Sequence, residues 1–527
     1  MENNELTFET KWTIRYVLAA LGFLFLTIIE GMMMRISHIK PDCLSTEHFY
    51  SVMTVHPILG IYGYAYMAIM GAFYFLMPYL LKTQVYNKKL IPLNFWMQSI
   101  GVIIVWCSGF FTKFNALYTL YWPLPVWFSR ISNLGAVIFC LGAAITLVNI
   151  LLFTYNIFAT MIKRKPVNGA EKSKLYSFGD YLKSAFGLDR IFKKKKEIQE
   201  ENKLYDTLPV FVVAVARGSI DTVVNAFVIL TCGILILIFA IPSLLGFGTL
   251  NPHIIDALIY KNWFWWGLDM IADGNVLMYA AGTWYLLIPM LVNRKLFGEG
   301  VVRTVILADL LISLGVWSHH LLADQPQPLA MHLISGQFIT SGEIVTVGLT
   351  IFASLMTIYL ARPVKFTPAL KFILVSMFGF MLGAVAGITQ ANYGLNVVLH
   401  NTQWVIGIHG HTMLLLGLSP LLFAIVYALI PLLLNREMKS HMLVNLHLIF
   451  WVAGVLIMVI AMGSAGLNGM LRRTIYHGIE FKTEMNIAMI GGISIVIGFL
   501  CLLINLIRTL TLKTIINIVF PLRRTMN

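Results

Sequence analysis

The feature that most constrains this chain is a series of long apolar segments, each long enough to cross a lipid bilayer. The ~30 Å hydrocarbon core of a bilayer is crossed by a helix of roughly twenty apolar residues. Windows of that length predict about twelve membrane helices, near residues 12–34, 50–81, 93–112, 132–162, 210–246, 262–292, 299–321, 330–361, 367–388, 400–434, 440–463 and 484–510. Because lipid offers no partner to unpaired backbone groups, a bundle of helices is the expected architecture.

The composition supports the same fold class. Hydrophobic residues make up 58% of the 527 residues and charged residues only 12%. A soluble protein needs a largely polar exterior, and this chain has too few polar residues to supply one. We therefore predict an all-α polytopic membrane protein whose residues 1–527 form a single transmembrane domain.

The net charge of +14 is concentrated outside the apolar segments. The longest polar interruption, residues 163–205, is rich in Lys and Arg and includes the run from Lys193 to Lys196. Such loops remain on the cytoplasmic side of a membrane. The loop therefore predicts a cytoplasmic N-terminus in an inner (plasma) membrane, with anionic lipid as a contact and no role in binding nucleic acid.

Histidines and one acid fall at similar depth in the predicted helices. A lone buried histidine is more often a hydrogen-bonded core residue than a metal ligand, and a His-His pair can simply mark a helix end. Six such residues on four helices at one depth instead indicate a shared site: His56, Asp269, His319, His320, His409 and His411.

The sequence His409-Gly410-His411 is informative by its spacing. With 3.6 residues per turn of an α-helix, residues two apart point to nearly opposite sides. One helix can then offer an imidazole to each of two hemes, and Gly410 leaves room for flat groups to approach.

Two carboxylates interrupt the stretch WWGLDMIADG at residues 265–274. Asp269 and Asp273 are four residues apart and share one helix face. An ionised acid at membrane depth costs several kcal/mol unless it is paired or binds a cation. Protonated, hydrogen-bonded acids remain an alternative, but two histidines with a carboxylate match the ligand set of non-heme iron, and copper would favour imidazoles alone.

Together these motifs resemble the catalytic subunit of the heme-copper oxidase and nitric oxide reductase superfamily over essentially the whole chain. LHNTQWVIGIHGH (399–411) is similar to the family's tenth-helix signature, and GLNGMLRR (466–473) to its glycine-rich turn with an arginine pair. The resemblance implies that His56 and His411 ligate a low-spin heme and His409 a high-spin heme. His319 and His320 would bind the non-heme metal facing it.

The same resemblance implies roles outside the ligands. Arg472 and Arg473 would bind heme propionates, with His400 nearby. Glu343, on the eighth helix, would deliver protons or hydrogen-bond at the centre, although a protonated packing residue is an equal alternative. Asp309 is a weaker candidate for a proton route from the cytoplasm.

The departure from the family pattern lies in WWGLDMIADG. Oxygen-reducing members carry a metal-binding His there, usually with a Tyr four residues later, whereas nitric oxide reductases resemble WW-x-x-H-x-x-x-E-G. Asp269 takes the His position and Asp273 the Glu position. We therefore expect Asp269 to ligate the non-heme metal, and Asp273 to ligate it or to relay protons.

The retained carboxylate favours a respiratory nitric oxide reductase of the kind used in denitrification, reducing two NO to N2O and water. Its expected cofactors are two b-type hemes and one non-heme iron, with copper as the alternative metal. The first alternative function is a terminal oxidase that reduces O2, in which Tyr279 or Tyr393 would replace the absent Tyr. The second is an ion channel or transporter without heme.

The electron donor is expected to be a separate molecule. The five cysteines form no CxxC or zinc-binding spacing, and the chain contains no CxxCH for a covalent heme. The expected partners are a second subunit with an electron-entry domain, a soluble carrier, or quinol.

Overall fold

The computed structural model describes residues 6–162, 210–271, 277–317, 319–324 and 327–519. Outside these residues lie the basic loop 163–205, Asp273, and the C-terminal Arg523 and Arg524. The described helices are α1 Phe8–Ile39, α2 Thr46–Ile58, α3 Met67–Leu81, α4 Leu90–Thr112, α5 Asn133–Ile162, α6 Val210–Leu244, α7 Ala257–Asp269, α8 Leu277–Val292, α9 Glu299–Gly315, α10 Thr340–Leu360, α11 Pro368–Ala391, α12 Tyr393–Leu399, α13 Ser419–Leu434, α14 His441–Leu467, α15 Lys482–Leu510 and α16 Leu512–Val519.

The architecture is an all-α membrane bundle, as the apolar segments predict. In the described part of the chain, eleven helices are long and apolar enough to cross a membrane. The segment predicted at 262–292 contains α7 and the shorter apolar helix α8. The residues joining α7 to α8 lie outside the described ranges.

Three π-helical segments continue the membrane helices: Leu59–Tyr66, Met331–Ile339 and Val405–Leu418. The third carries His409 and His411, so the expectation of ordinary α-helical geometry there was wrong. Thr412 Oγ1 donates to the carbonyl of Gly407, five residues earlier, at 3.2 Å. The wider π turn, which bonds residues five apart, still sends residues two apart to roughly opposite sides, and π segments recur at functional sites.

The sequence led us to expect that the His319-His320 pair lies at the end of a membrane α-helix, but it does not. Helix α9 ends at Gly315, and the pair begins the short 3-10 turn His319–Leu321. Ser335, in the second π segment, donates its hydroxyl to the carbonyl of Gly315 at 2.6 Å. That bond gives the Gly315 carbonyl, at the end of α9, a hydrogen-bond partner, and it connects α9 to the second π segment.

Glycines bring the HGH segment close to α11. Gly379 and Gly383 lie one turn apart on α11 and face the backbone of Leu416 and the side chain of Met413. A Cβ at either glycine would clash, so larger residues would push the segments apart. Small residues allow this close packing of helices in a membrane.

A buried ion cluster joins α6 to α9. Arg217 and Asp221 on α6 are fully buried and form an ion pair. The Arg217 guanidinium also lies 3.1 Å from the carboxylate of Asp309 on α9 and donates to Ser313. A charge in this environment is tolerated only when it is paired.

Replacing Arg217 by methionine is expected to destabilise the protein by about 3–5 kcal/mol, because the buried Asp221 and the partly buried Asp309 lose their shared cation. Thermal unfolding in detergent measures the effect. Lys113→Met, which breaks an exposed ion pair with Glu47, is the control and should leave the unfolding temperature unchanged. Adding Asp221→Asn and Asp309→Asn to Arg217→Met should recover part of the loss. An unchanged unfolding temperature for Arg217→Met alone would contradict the assignment.

Candidate functional site

Three predicted metal ligands meet at the end of α7. Asp269 is 1% exposed, and its Oδ1 lies 3.2 Å from His320 Nε2 and 4.0 Å from His319 Nε2. One possible ligand atom from each residue lies within 4.8 Å of the others. Two imidazoles and one carboxylate therefore converge on a space that a single divalent metal ion can fill.

Aromatic residues hold one side of this cluster. The indole of Trp265, one turn before Asp269, stacks on the imidazole of His320 with ring centroids 4.3 Å apart. Trp265 Nε1 donates to the hydroxyl of Tyr121 at 3.1 Å. The stack limits rotation of the His320 ring, as a site that must hold a fixed metal geometry requires.

His409 faces the metal-ligand cluster across a small cavity. A space of about 50 Å³ is lined by His409, His319 and His320, and also by Glu343. His409 Nδ1 lies 2.8 Å from the carbonyl oxygen of Gly383. Because a carbonyl can only accept, Nδ1 carries the proton and Nε2 keeps the lone pair needed for a metal.

Gly387 on α11 sets the position of the His409 ring. A Cβ at residue 387 would lie 2.9 Å from His409 Cε1. We expect Gly387→Ala to displace the imidazole and to lower high-spin heme occupancy several-fold, with the loss read from the optical spectrum. Gly348→Ala, on α10 with nothing within 4 Å of the added Cβ, is the matched control. Equal heme content in the two variants would contradict this role.

His56 and His411 line a second, larger cavity of about 460 Å³. His411 Nδ1 lies 2.7 Å from the carbonyl of Ile406, so this ring also keeps Nε2 for ligation. A Cβ at Gly31 would contact His56 Cε1, and one at Gly410 would meet only the carbonyl of Val405. The glycines keep both faces of the cavity open, and its size and paired imidazoles fit a flat macrocycle.

Three half-buried arginines line the same cavity: Arg35, Arg472 and Arg473. Among the described residues, none of the three has a carboxylate within ion-pair distance. Arg473 instead donates hydrogen bonds to the hydroxyls of Tyr118 and Tyr121, at 3.2 and 3.3 Å. Asp269 is the one carboxylate among the residues that line this cavity, and the propionates of a heme would balance the remaining positive charge.

The glycine-rich turn 466–473 positions the arginine pair. Its backbone binds the start of the HGH segment, since Gln403 donates to Met470 and Arg472 donates to Asn401. Burial lowers the pKa of Arg472 to about 10, so the group stays charged at neutral pH. Burial, reinforced by Arg472, holds the pKa of His400 well below its usual range. His400 therefore offers a neutral imidazole beside the arginines.

Of the other residues predicted from the sequence, some line the small cavity and some line neither cavity. Asp309 lines the small cavity together with Glu343, and Thr346 donates to its carboxylate at 3.1 Å. Tyr279 packs edge to face against Phe73 of α3, and the ring of Tyr393 lies 5.4 Å from that of His332. Neither tyrosine lines either cavity. Asp273 lies outside the described residues, so its role stays a prediction.

Arg35, Tyr118 and Tyr121 were not predicted from the sequence. Arg35 lies just beyond the predicted first span 12–34, although the helix continues to Ile39. A basic residue on an apolar helix is the same signal that singled out Asp269. Tyr118 and Tyr121 fall in the loop after α4, where sequence alone does not indicate a contact with residue 473.

The chain is similar to known proteins over most of its length. The family model for cytochrome c and quinol oxidase polypeptide I matches residues 11–500. Cytochrome c oxidase subunit 1 of Synechocystis sp. is 23% identical over 484 residues, covering 91% of this chain and 79% of that protein. The Bacillus subtilis cytochrome c oxidase subunit 1 is 25% identical over 521 residues, covering 95% and 74%. Quinol oxidase subunit 1 of Bacillus subtilis is 24% identical over 505 residues, covering 94% and 71%.

A solved structure shares the fold. A heme-copper terminal oxidase dimer determined by cryo-EM superposes with a TM-score of 0.72 at 20% identity, covering 96% of this chain and 84% of that one. The curated relatives above are named as oxidases, which favours the oxygen-reducing alternative over the nitric oxide reductase that the sequence motif favoured. The expectation rested on one short motif, whereas the similarity to oxidases extends over nearly the whole chain.

Proposed function

This chain belongs to the cytochrome c and quinol oxidase polypeptide I family, and from that premise we propose that it is the catalytic subunit of a membrane-bound terminal oxidase that reduces O2 to water. Each O2 would take four electrons and four protons. The names of the relatives support oxygen as the substrate. The family establishes the coarser statement, a multi-pass membrane oxidoreductase of the heme-copper superfamily.

One observation carries the proposal. His409 lines a cavity of about 50 Å³ together with His319 and His320 of the Asp269–His319–His320 cluster. His409 Nε2 would hold a heme and the cluster would hold a metal ion, and the small cavity beside them suits a small gas. Heme and metal ion supply reversible one-electron chemistry and open coordination positions when bound.

The chain's own residues hold this centre and its protons. Asp269, His319 and His320 would hold the non-heme metal, and the Gly383 carbonyl fixes the His409 ring. His56 and His411 would hold the second heme, with Arg472 and Arg473 neutralising propionates. Glu343 and Asp309 are the two acids among the residues that line the small cavity, and their carboxylates would hold protons beside it.

Nitric oxide is the second candidate substrate. The specific observation in its favour is the Asp269 carboxylate within 3.2 Å of His320. Two imidazoles with a carboxylate suit non-heme iron with open positions better than copper. Reduction of two NO to N2O and water would need two electrons and two protons.

Electrons would come from a separate partner. We propose a second subunit with an electron-entry domain, a soluble carrier or membrane quinol as the donor. One of the similar proteins is named a quinol oxidase and others cytochrome c oxidases, so both donor classes are consistent with the family. We place the complex in the cell's inner membrane, with the N-terminus cytoplasmic as the basic loop predicts.

Gas uptake by the purified protein tests the proposed substrate. With a chemically reduced quinol or a small-molecule electron donor, we expect steady O2 consumption and little N2O formation from NO under anaerobic conditions. Exposed His441→Ala, which changes an imidazole far from either cavity, is the control for nonspecific loss. N2O formation without O2 consumption would overturn the oxygen assignment and support the second candidate.

A further inference from the structure

A buried carboxylate lies beside one of the predicted heme ligands. Glu30, on α1, is 2% exposed. Its Oε1 accepts a hydrogen bond from Trp106 Nε1 on α4 at 2.8 Å. Its Oε2 lies 3.8 Å from His56 Nδ1 on α2. Three helices thus place an acid on the side of His56 that faces away from a metal bound at Nε2.

The position of Glu30 is costly without a partner. An ionised acid at membrane depth must be paired, solvated or bound to a cation. Among the described residues, His56 is the only basic side chain within ion-pair distance of Glu30. The indole of Trp106 satisfies one oxygen, which leaves the other directed toward the imidazole.

The three predicted heme ligands differ in the group that lies beside the Nδ1 atom of each ring. His409 and His411 each donate to a backbone carbonyl, of Gly383 and Ile406. His56 instead has the Glu30 carboxylate beside its Nδ1. A carboxylate acceptor raises the basicity of a ligating histidine more than a neutral carbonyl does.

We propose that Glu30 is a positioning residue for the low-spin heme, accepting the Nδ1–H of His56 and lowering the reduction potential of that heme. The inference rests on the proposed function only in that His56 must ligate a heme. A distance of 3.8 Å exceeds that of a hydrogen bond, so the bond belongs to the heme-loaded protein, in which ligation fixes the imidazole ring. A more basic ligand stabilises ferric over ferrous iron, which lowers the potential.

Glu30→Gln in the heme-loaded protein tests this role. The amide oxygen still accepts from Trp106, so the packing is kept while the negative charge is lost. We expect the ratio of reduced to oxidised low-spin heme, at a fixed applied potential, to rise by roughly tenfold. The electron paramagnetic resonance signal of the ferric low-spin heme should shift as well, because it reports the donor strength of the axial ligands.

Glu47→Gln is the matched control. Glu47 lies on the same helix as His56, and its carboxylate pairs with Lys113 at the surface. The same chemical change there should leave the potential and the resonance signal unaltered. An unshifted potential and signal in Glu30→Gln would overturn the proposal and show that Glu30 only anchors Trp106.

A second variant covers loss of the heme. If Glu30→Gln fails to retain the low-spin heme, Glu30→Asp keeps the charge on a shorter side chain. Retention of that heme in Glu30→Asp, with a redox ratio within about threefold of the native ratio, supports the charge-based role. Loss of the heme in both variants overturns it in favour of packing. These readouts do not depend on whether O2 or NO is the substrate, so the substrate assignment can fail independently.

Discussion

Asp269→Asn is expected to remove the non-heme metal while both hemes remain bound. The substitution keeps the shape of the side chain but removes the charged oxygen that lies 3.2 Å from His320 Nε2. Changes to groups that only support a metal ligand lower metal affinity by about 10–100-fold, and loss of a direct ligand is expected to cost at least as much. Gas reduction should fall in proportion to the lost metal.

Metal analysis of the purified variant, beside its optical spectrum, measures this effect. Asp256→Asn is the control, because Asp256 caps the first turn of the same helix and an asparagine caps it equally well. Full metal content and normal turnover in Asp269→Asn would show that Asp269 is not a ligand. Loss of heme together with metal would instead show that the residue is needed for folding.

His409→Ala and His411→Ala are expected to remove different hemes. The two residues are separated only by Gly410, but His409 lines the small cavity and both line the larger one. We expect His411→Ala to lose the low-spin spectrum and keep the high-spin one, with the reverse in His409→Ala. Each variant should hold about one heme per chain and lose gas reduction, since each heme carries a separate step.

Heme extraction and reduced-minus-oxidised spectra distinguish these outcomes. Adding free imidazole offers a further check, because a small ligand can refill the space left by either side chain and restore the missing spectrum. The exposed His441→Ala variant should keep both hemes. Loss of the same heme in both HGH variants would contradict the assignment of one imidazole to each.

The bundle was predictable from the sequence, because apolar length and backbone hydrogen bonding leave few other architectures in lipid. The spacing of His409 and His411 predicted two opposite directions, and in the structure the two rings meet different carbonyls, of Gly383 and Ile406. The π turn itself was not predictable, because it depends on contacts such as the bond between His411 and the Ile406 carbonyl.

The metal cluster shows the same division. The carboxylate of Asp269 and the adjacent histidines were singled out by chemistry and depth, and the structure places all three together. The 3-10 turn that carries His319 was not predictable, since it depends on where α9 ends. Asp273 shares a helix face with Asp269 only if the helix continues, and the residues after Ile271 lie outside the described ranges.

Glu30 was not singled out from the sequence. It lies inside the first predicted span, where an acid should have drawn the same attention as Asp269. Its spacing relates it to no other charged residue in the sequence, and only the packing of α1 against α2 and α4 places it beside His56 and Trp106. Long-range partners of this kind require the fold.

The measurement that tests the central claim most directly is the cofactor content of the purified native protein. Heme extraction, the reduced-minus-oxidised spectrum and metal quantification should give about two hemes and about one further iron or copper per chain, with one low-spin and one high-spin component. A protein that carries no heme when purified from heme-replete membranes, in its folded state, would contradict the proposed site.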